Sequence, residues 1–125
     1  MKKILFETHH LYYLPNFLPI INSLKSRGGY KIFMSMPQYM QDRERNLFYN
    51  VANDIGLELI KTDLEERRID NIKSKNFDVI IVGNVGQLSK IVSKSTIAVM
   101  VYHGIGLKQS YYNDIDSRIN IRAVE

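Results

Sequence analysis

The chain has 125 residues, no cysteine, 45% hydrophobic and 24% charged residues, and a formal net charge of +4. That size suits one ordinary domain, and the apolar-to-charged balance is that of a folded globular chain rather than a disordered one. Disulfides and cysteine-ligated metal or redox centres are excluded, no apolar run approaches the ~20 residues of a membrane-spanning helix, and the basic residues are scattered without interleaved aromatics, which argues against nucleic acid and for smaller anionic partners.

The first element predicted is a short buried strand, Lys3-Ile4-Leu5-Phe6-Glu7. Lys2-Lys3 lead into only three apolar residues there, too few for the apolar core of a secretion signal, so a cytoplasmic location is expected. Leu14 to Leu24 predicts a helix, because Leu14, Phe17, Leu18, Ile21 and Leu24 recur at helical spacing. Asn16 is its expected N-cap, and Gly28-Gly29 its stop. Pro15 and Pro19 are expected at or before the first turn, where no intrahelical donor is lost.

Tyr30 to Met36 predicts a second strand, closed by Pro37. The helix that follows should bury Leu47, Phe48, Val51, Ala52 and Ile55, keep Asp42 to Arg45 in water, and end at Gly56. Leu57 to Ile60 is a third strand. Thr62 with Glu65, or Asp63 with Glu66, fits a capping box for a polar helix carrying Ile69 and Ile72. Phe77 to Val82 is a fourth strand, Val85 to Val92 a short helix, and Thr96 to Tyr102 a fifth strand. Ser117 to Glu125 reads as the start of another strand, so residues 1–125 are expected to be a domain cut short within a longer protein.

Strands and helices alternate, and the last two long strands are continuous apolar runs, the pattern of strands covered on both faces. An α/β doubly wound parallel sheet with strand order 3-2-1-4-5 is therefore expected. In such a sheet, ligands bind beyond the carboxyl ends of the strands. That rule selects Thr8-His9-His10, Ser35-Met36-Pro37, Gly83-Asn84-Val85-Gly86 and His103-Gly104-Ile105-Gly106. At a strand spacing of about 4.8 Å, the two histidine segments would share one rim about 10 Å apart.

The turn after the first strand, Thr8 to Tyr13, has no glycine, so a dinucleotide held by the usual glycine fingerprint is not expected, nor any other cofactor. His9 and His10 are adjacent and point apart, with no carboxylate pair at metal spacing, so no metal is expected. Tyr12-Tyr13 and Tyr111-Tyr112 read as rim packing. Gly83 and Gly86 fit a tight strand-to-helix turn or, with Asn84, an anion site. His103 stands apart from these. Gly104 and Gly106 strip bulk from the backbone beside it, and Lys108 adds a cation next to a base that titrates near neutrality.

The segment HGIGLKQSYYNDID, His103 to Asp116, is similar to the His-Gly-x-x-x-Lys segment of the CDP-glycerol glycerophosphotransferase family, enzymes of teichoic-acid and related surface-polymer synthesis. HHLYYLPNFLPIINSL, His9 to Leu24, resembles the opening of one branch of that family. The resemblance implies a GT-B architecture of two Rossmann-like domains facing across a cleft, with this chain as most of the N-terminal, acceptor-side domain. It implies His103 as the general base acting on an acceptor hydroxyl, with CDP-glycerol or another nucleotide-activated donor held mainly by the second domain. His9, His10, Gly83, Asn84, Gly104, Gly106 and Lys108 would line the substrate side. A polymer or lipid-linked acceptor would bring the enzyme to the inner, anionic face of the membrane. The chain departs from many members at Ile105, where they carry threonine, so a hydroxyl that could bind substrate is missing. Outside that family, another GT-B nucleotide-sugar enzyme and a non-catalytic Rossmann-like binding domain share the same pattern.

Overall fold

The computed structural model describes residues 1–8, 13–38, 40–62, 64–83, 88–101 and 121–123. Its elements run β1 (Lys2–Glu7), α1 (Leu14–Arg27), β2 (Tyr30–Ser35), α2 (Asp42–Asp54), β3 (Glu58–Leu59), α3 (Glu65–Lys75), β4 (Val79–Val82), α4 (Leu88–Ile91), β5 (Ile97–Val101) and β6 (Ile121–Ala123). The strands form one sheet in the order β3-β2-β1-β4-β5-β6, and every pairing is parallel. The fold is a Rossmann-like doubly wound α/β sheet, as the alternation predicts, with β6 added beside β5.

Strand periodicity divides the core in two. Ile4 and Phe6 of β1, Ile32 and Met34 of β2, and Ile81 of β4 face one way, against Leu14, Phe17 and Ile21 of α1 and Phe48, Tyr49 and Ala52 of α2. Leu5, Phe33, Ile80 and Val82 face the other way, with Ala98 and Met100 of β5, against Ile72 of α3 and Leu88 and Ile91 of α4. A one-residue slip in any strand would exchange the two sets, so register is fixed by both layers at once. Fully burying one such side chain is worth about 1.5–3 kcal/mol.

Three local expectations are corrected. First, α1 begins at Leu14 with Tyr13 at the cap position and no side-chain cap bond, so Asn16 lies within the helix. Pro19 is inside the helix as well. Its ring deletes a backbone donor, but Pro15 and Pro19 are both exposed, so the carbonyl that loses its partner lies on the watery side. Second, Leu47 is 47% exposed, because α2 packs through Phe48, Tyr49 and Ala52, which turns Leu47 outward. Third, Leu64 caps α3 without a side-chain bond, and the Thr62 hydroxyl donates to the Leu64 carbonyl instead of capping a helical amide. Asp63 lies outside the described residues. The helix stops follow the sequence more closely: Gly56 (φ 75°) lies just past the end of α2, and Asn76 closes α3 in the left-handed region (φ 53°).

Replacing Pro19 with alanine restores the missing donor in mid-helix. Urea unfolding should show a gain in stability of up to about 3 kcal/mol, the cost of an interior proline. An unchanged or lowered midpoint would show that the restored donor adds nothing at that position.

Candidate functional site

Parallel pairing aligns the carboxyl ends of the strands along one rim. Glu7 of β1 pairs with Val82 of β4 and with Ser35 of β2, and Val82 pairs with Met100 of β5. The strand order reverses between β1 and β4, the switch point at which doubly wound folds bind ligands. Of the residues selected from sequence, His9, His10, Asn84, His103, Gly104, Gly106 and Lys108 lie outside the described residues. The strands that precede them end side by side on this rim.

Gly83 is described. It is buried at the end of β4, and the Tyr13 ring lies against it. A β-carbon built there would come well under 3.0 Å from three carbons of that ring. Tyr13 is held in turn by stacking on Phe17, with centroids 6.3 Å apart, and Phe17 packs on Phe6 at 5.2 Å. The glycine therefore makes room for the aromatic that opens α1.

On the other side of β1, the rim holds a buried ionic cluster that the sequence reading passed over. Arg68 of α3 is 0% exposed. Its Nη1 donates to the Glu7 carboxylate and, at 2.8 Å, to Ser35 Oγ. Its Nε donates to both Glu65 oxygens at 3.1 and 3.0 Å, and Nη2 donates to Glu65 Oε1 at 2.6 Å. Glu7 is 2% exposed, whereas the Glu65 side chain is 23% exposed. One helix, through one guanidinium, thus grips the ends of two central strands.

The cluster extends into the loop between β2 and α2. The Gln38 amide donates to Glu65 Oε2 at 2.7 Å. Arg45 of α2 donates to the Gln38 carbonyl, to the Met40 carbonyl at 3.0 Å, and to Asp42. Tyr49 of α2 lies near the same charges, with Lys61 Nζ 5.4 Å from its ring centroid. Among the described residues its buried hydroxyl has no hydrogen-bond partner.

Burial pushes the Glu7 carboxyl above its ordinary value, while the charge and hydrogen bond of Arg68 pull the other way. Burial pulls the Arg68 guanidinium down, but its hydrogen bonds to Glu65 and the charge of Glu7 raise it overall. Burial also raises the Tyr49 phenol, against Arg45 and Arg68. The Glu65 side chain, unlike that of Glu7, keeps contact with water and accepts from the Gln38 amide.

Among the described residues, no three His, Cys, Asp or Glu side chains converge as metal ligands, and no helix is long and apolar enough to cross a membrane. Two surface hollows of about 400 and 390 Å³ lie by the amino ends of the strands, where Tyr30 lines both.

Arg68→Met should cost about 3–5 kcal/mol of stability at neutral pH, because it leaves the Glu7 carboxylate buried without its donor. Adding Glu7→Leu to that variant should recover much of the loss in urea unfolding. Additive losses would show that the pair does not interact. Gly83→Ala should cost about 1–3 kcal/mol through the overpacked Tyr13 ring. In a Tyr13→Ala background the same change should cost much less, and an equal cost in both backgrounds would place the strain elsewhere.

No family model, no curated protein and no solved structure matches the chain.

Proposed function

We propose that the chain is the acceptor-side domain of a glycerophosphotransferase that moves glycerol phosphate from CDP-glycerol to a hydroxyl of a surface-polymer acceptor. The observation that carries this reading is the strand order. β1, β4 and β5 are consecutive neighbours, and their carboxyl ends lead in sequence into the segments bearing His9-His10, Asn84 and His103.

In this reading His103 accepts the proton of the acceptor hydroxyl as that oxygen attacks the β-phosphate of CDP-glycerol. The new phosphoester bond forms as the bond to CMP breaks, and CMP leaves with the electron pair. Lys108 offsets phosphate charge, and Gly104 and Gly106 let backbone donors approach. His9, His10 and Asn84 shape the acceptor side, and Gly83 contributes backbone only. The donor sits mainly on a second Rossmann-like domain of a GT-B enzyme. A lipid-linked acceptor would hold the enzyme at the inner membrane face, where the net charge of +4 favours anionic lipid.

The test is a single-turnover assay of CMP release from CDP-glycerol by the full-length protein. General-base catalysis contributes about 10²–10⁴-fold, so His103→Ala should lower the rate by that range or more while donor affinity holds. A folded His103→Ala protein working at the parent rate would overturn the assignment. Nucleotide release from a nucleotide sugar, with none from CDP-glycerol, would move the enzyme to another GT-B class. Failure to bind either donor would make the chain a binding domain.

A further inference from the structure

The basic residues, scattered along the sequence, are gathered by the topology. In a parallel sheet with helical crossovers, strands start and helices end at the same face. Lys2, Lys3 and Lys31 lie at the starts of β1 and β2, and Lys25 and Arg27 in the last turn of α1. Lys73 and Lys75 lie in the last turn of α3, and Lys94 in the turn before β5. The acids of this face are Asp54, Glu58 and Asp78. Eight cations against three acids leave +5 there, more than the +4 of the whole chain, so all other residues together carry −1.

The helix ends call for part of this charge. α1, α2 and α3 each bring about half a negative charge to the face, which still leaves a surplus of about three cations. Internal pairing does not absorb it. Lys31 meets Glu58 at 3.3 Å, but Lys2 reaches Asp78 only at 4.0 Å, with its side chain 72% exposed. Lys3 and Lys25 donate to the Lys75 and Ile55 carbonyls, which are uncharged. Arg27, Lys73 and Lys94 are exposed and make no ion pair among the described residues.

Apolar surface lies among these charges. Ile97, at the start of β5, is 46% exposed. The two hollows of this face are lined in part by Ile20, Leu24 and Leu57, with Arg27, Lys25 and Lys31 at their walls. Seven of the eight cations are lysines, point charges on flexible stems rather than the planar fork that reads bases. Among the described residues, no aromatic side chain is exposed to stack on a base. A broad cationic face with apolar side chains between the charges suits a lipid surface better than a nucleic acid.

We propose that the face formed by the starts of the strands and the ends of the helices docks on an anionic lipid bilayer. The assignment stands on charge placement and does not depend on the transfer reaction. The carboxyl rim then points away from the lipid, at the far end of strands about 20 Å long for six residues.

The experiment is flotation of the full-length protein with vesicles of mixed phosphatidylglycerol and phosphatidylcholine, or of phosphatidylcholine alone, at low and high salt. Binding should need phosphatidylglycerol and weaken at high salt. One basic residue near such a surface is worth about fivefold in partition, so Arg27→Ala with Lys73→Ala should lower binding about 25-fold. Arg43→Ala with Lys61→Ala removes the same charge from the opposite end of the sheet, beyond a Debye length of about 10 Å, and should change binding by no more than about twofold. Circular dichroism checks that both double variants fold. Neither touches a residue named in the transfer reaction, so the CMP assay tests that reading separately. Equal losses in the two double variants would overturn the face and leave net charge alone as the cause. Equal binding to phosphatidylcholine alone, or no binding to either vesicle, would overturn it too. Retention by a DNA duplex in the absence of vesicle binding would give the face to nucleic acid instead.

Discussion

The burial of the Arg68 guanidinium is the constraint on which the rest of the rim depends. Moving an ion pair out of water costs several kcal/mol per ion, and only good geometry with further hydrogen bonds offsets it. Here the offset is nearly complete, because Nε, Nη1 and Nη2 all donate to Glu65, Glu7 or Ser35. α3 needs that anchor. Its buried residues are Arg68 and Ile72, so its apolar stripe is thin and the ionic grip replaces what a longer hydrophobic face would supply. A shift of one turn in α3 would strand the charges in the core, so the cluster ties α3 to the β1–β2 register as well as to their surface.

The two halves of the rim are closed by different physics. At β1–β4 the closure is steric. Phe6, Phe17 and Tyr13 form an aromatic chain that ends on Gly83, where only a glycine leaves room for the ring. At β1–β2 the closure is electrostatic, and it reaches the loop through Gln38. Steric packing has little dependence on pH or salt. A buried ion pair depends on pH through its carboxylate. β1 belongs to both halves, with Phe6 in one and Glu7 in the other, on opposite faces of the same strand.

The sequence showed the sheet well because the fold is written in long-range alternation. Continuous apolar runs at Val79 to Val82 and Ile97 to Val101 demand cover on both faces, and helices between strands force parallel crossovers. It showed the rim poorly because a buried charge looks like a surface charge until its partner is known. Arg68 was one basic residue among many, and Glu65 fitted a capping box whose hydroxyl turned elsewhere. The signals were nevertheless present. Arg68 stands four residues before Ile72, on the stripe that α3 buries, and Glu65 stands three before Arg68. Glu7 follows Leu5 by two, which points it at the α3 face of the sheet. Leu47 failed in the opposite way, since helical spacing allows two adjacent stripes on α2 and only packing chooses between them. The candidate site was legible as a set of strand ends. Apart from Gly83, the chemistry-bearing residues chosen from the sequence lie beyond those ends.

Glu7 joins these two levels of description. It is the last residue of β1, and Thr8, fully buried, follows with its amide directed to the Ser35 carbonyl at 3.4 Å. The next residue in sequence is His9. The path by which the chain leaves the sheet toward the histidine pair therefore starts from a backbone held by Arg68 on one side chain and by β2 on the next amide. In the proposed transferase, an acceptor must be positioned against a base carried two strands away, after β5, and small displacements at either end cost rate steeply. A β1 terminus held by Arg68 and by the Ser35 carbonyl would supply part of that positioning.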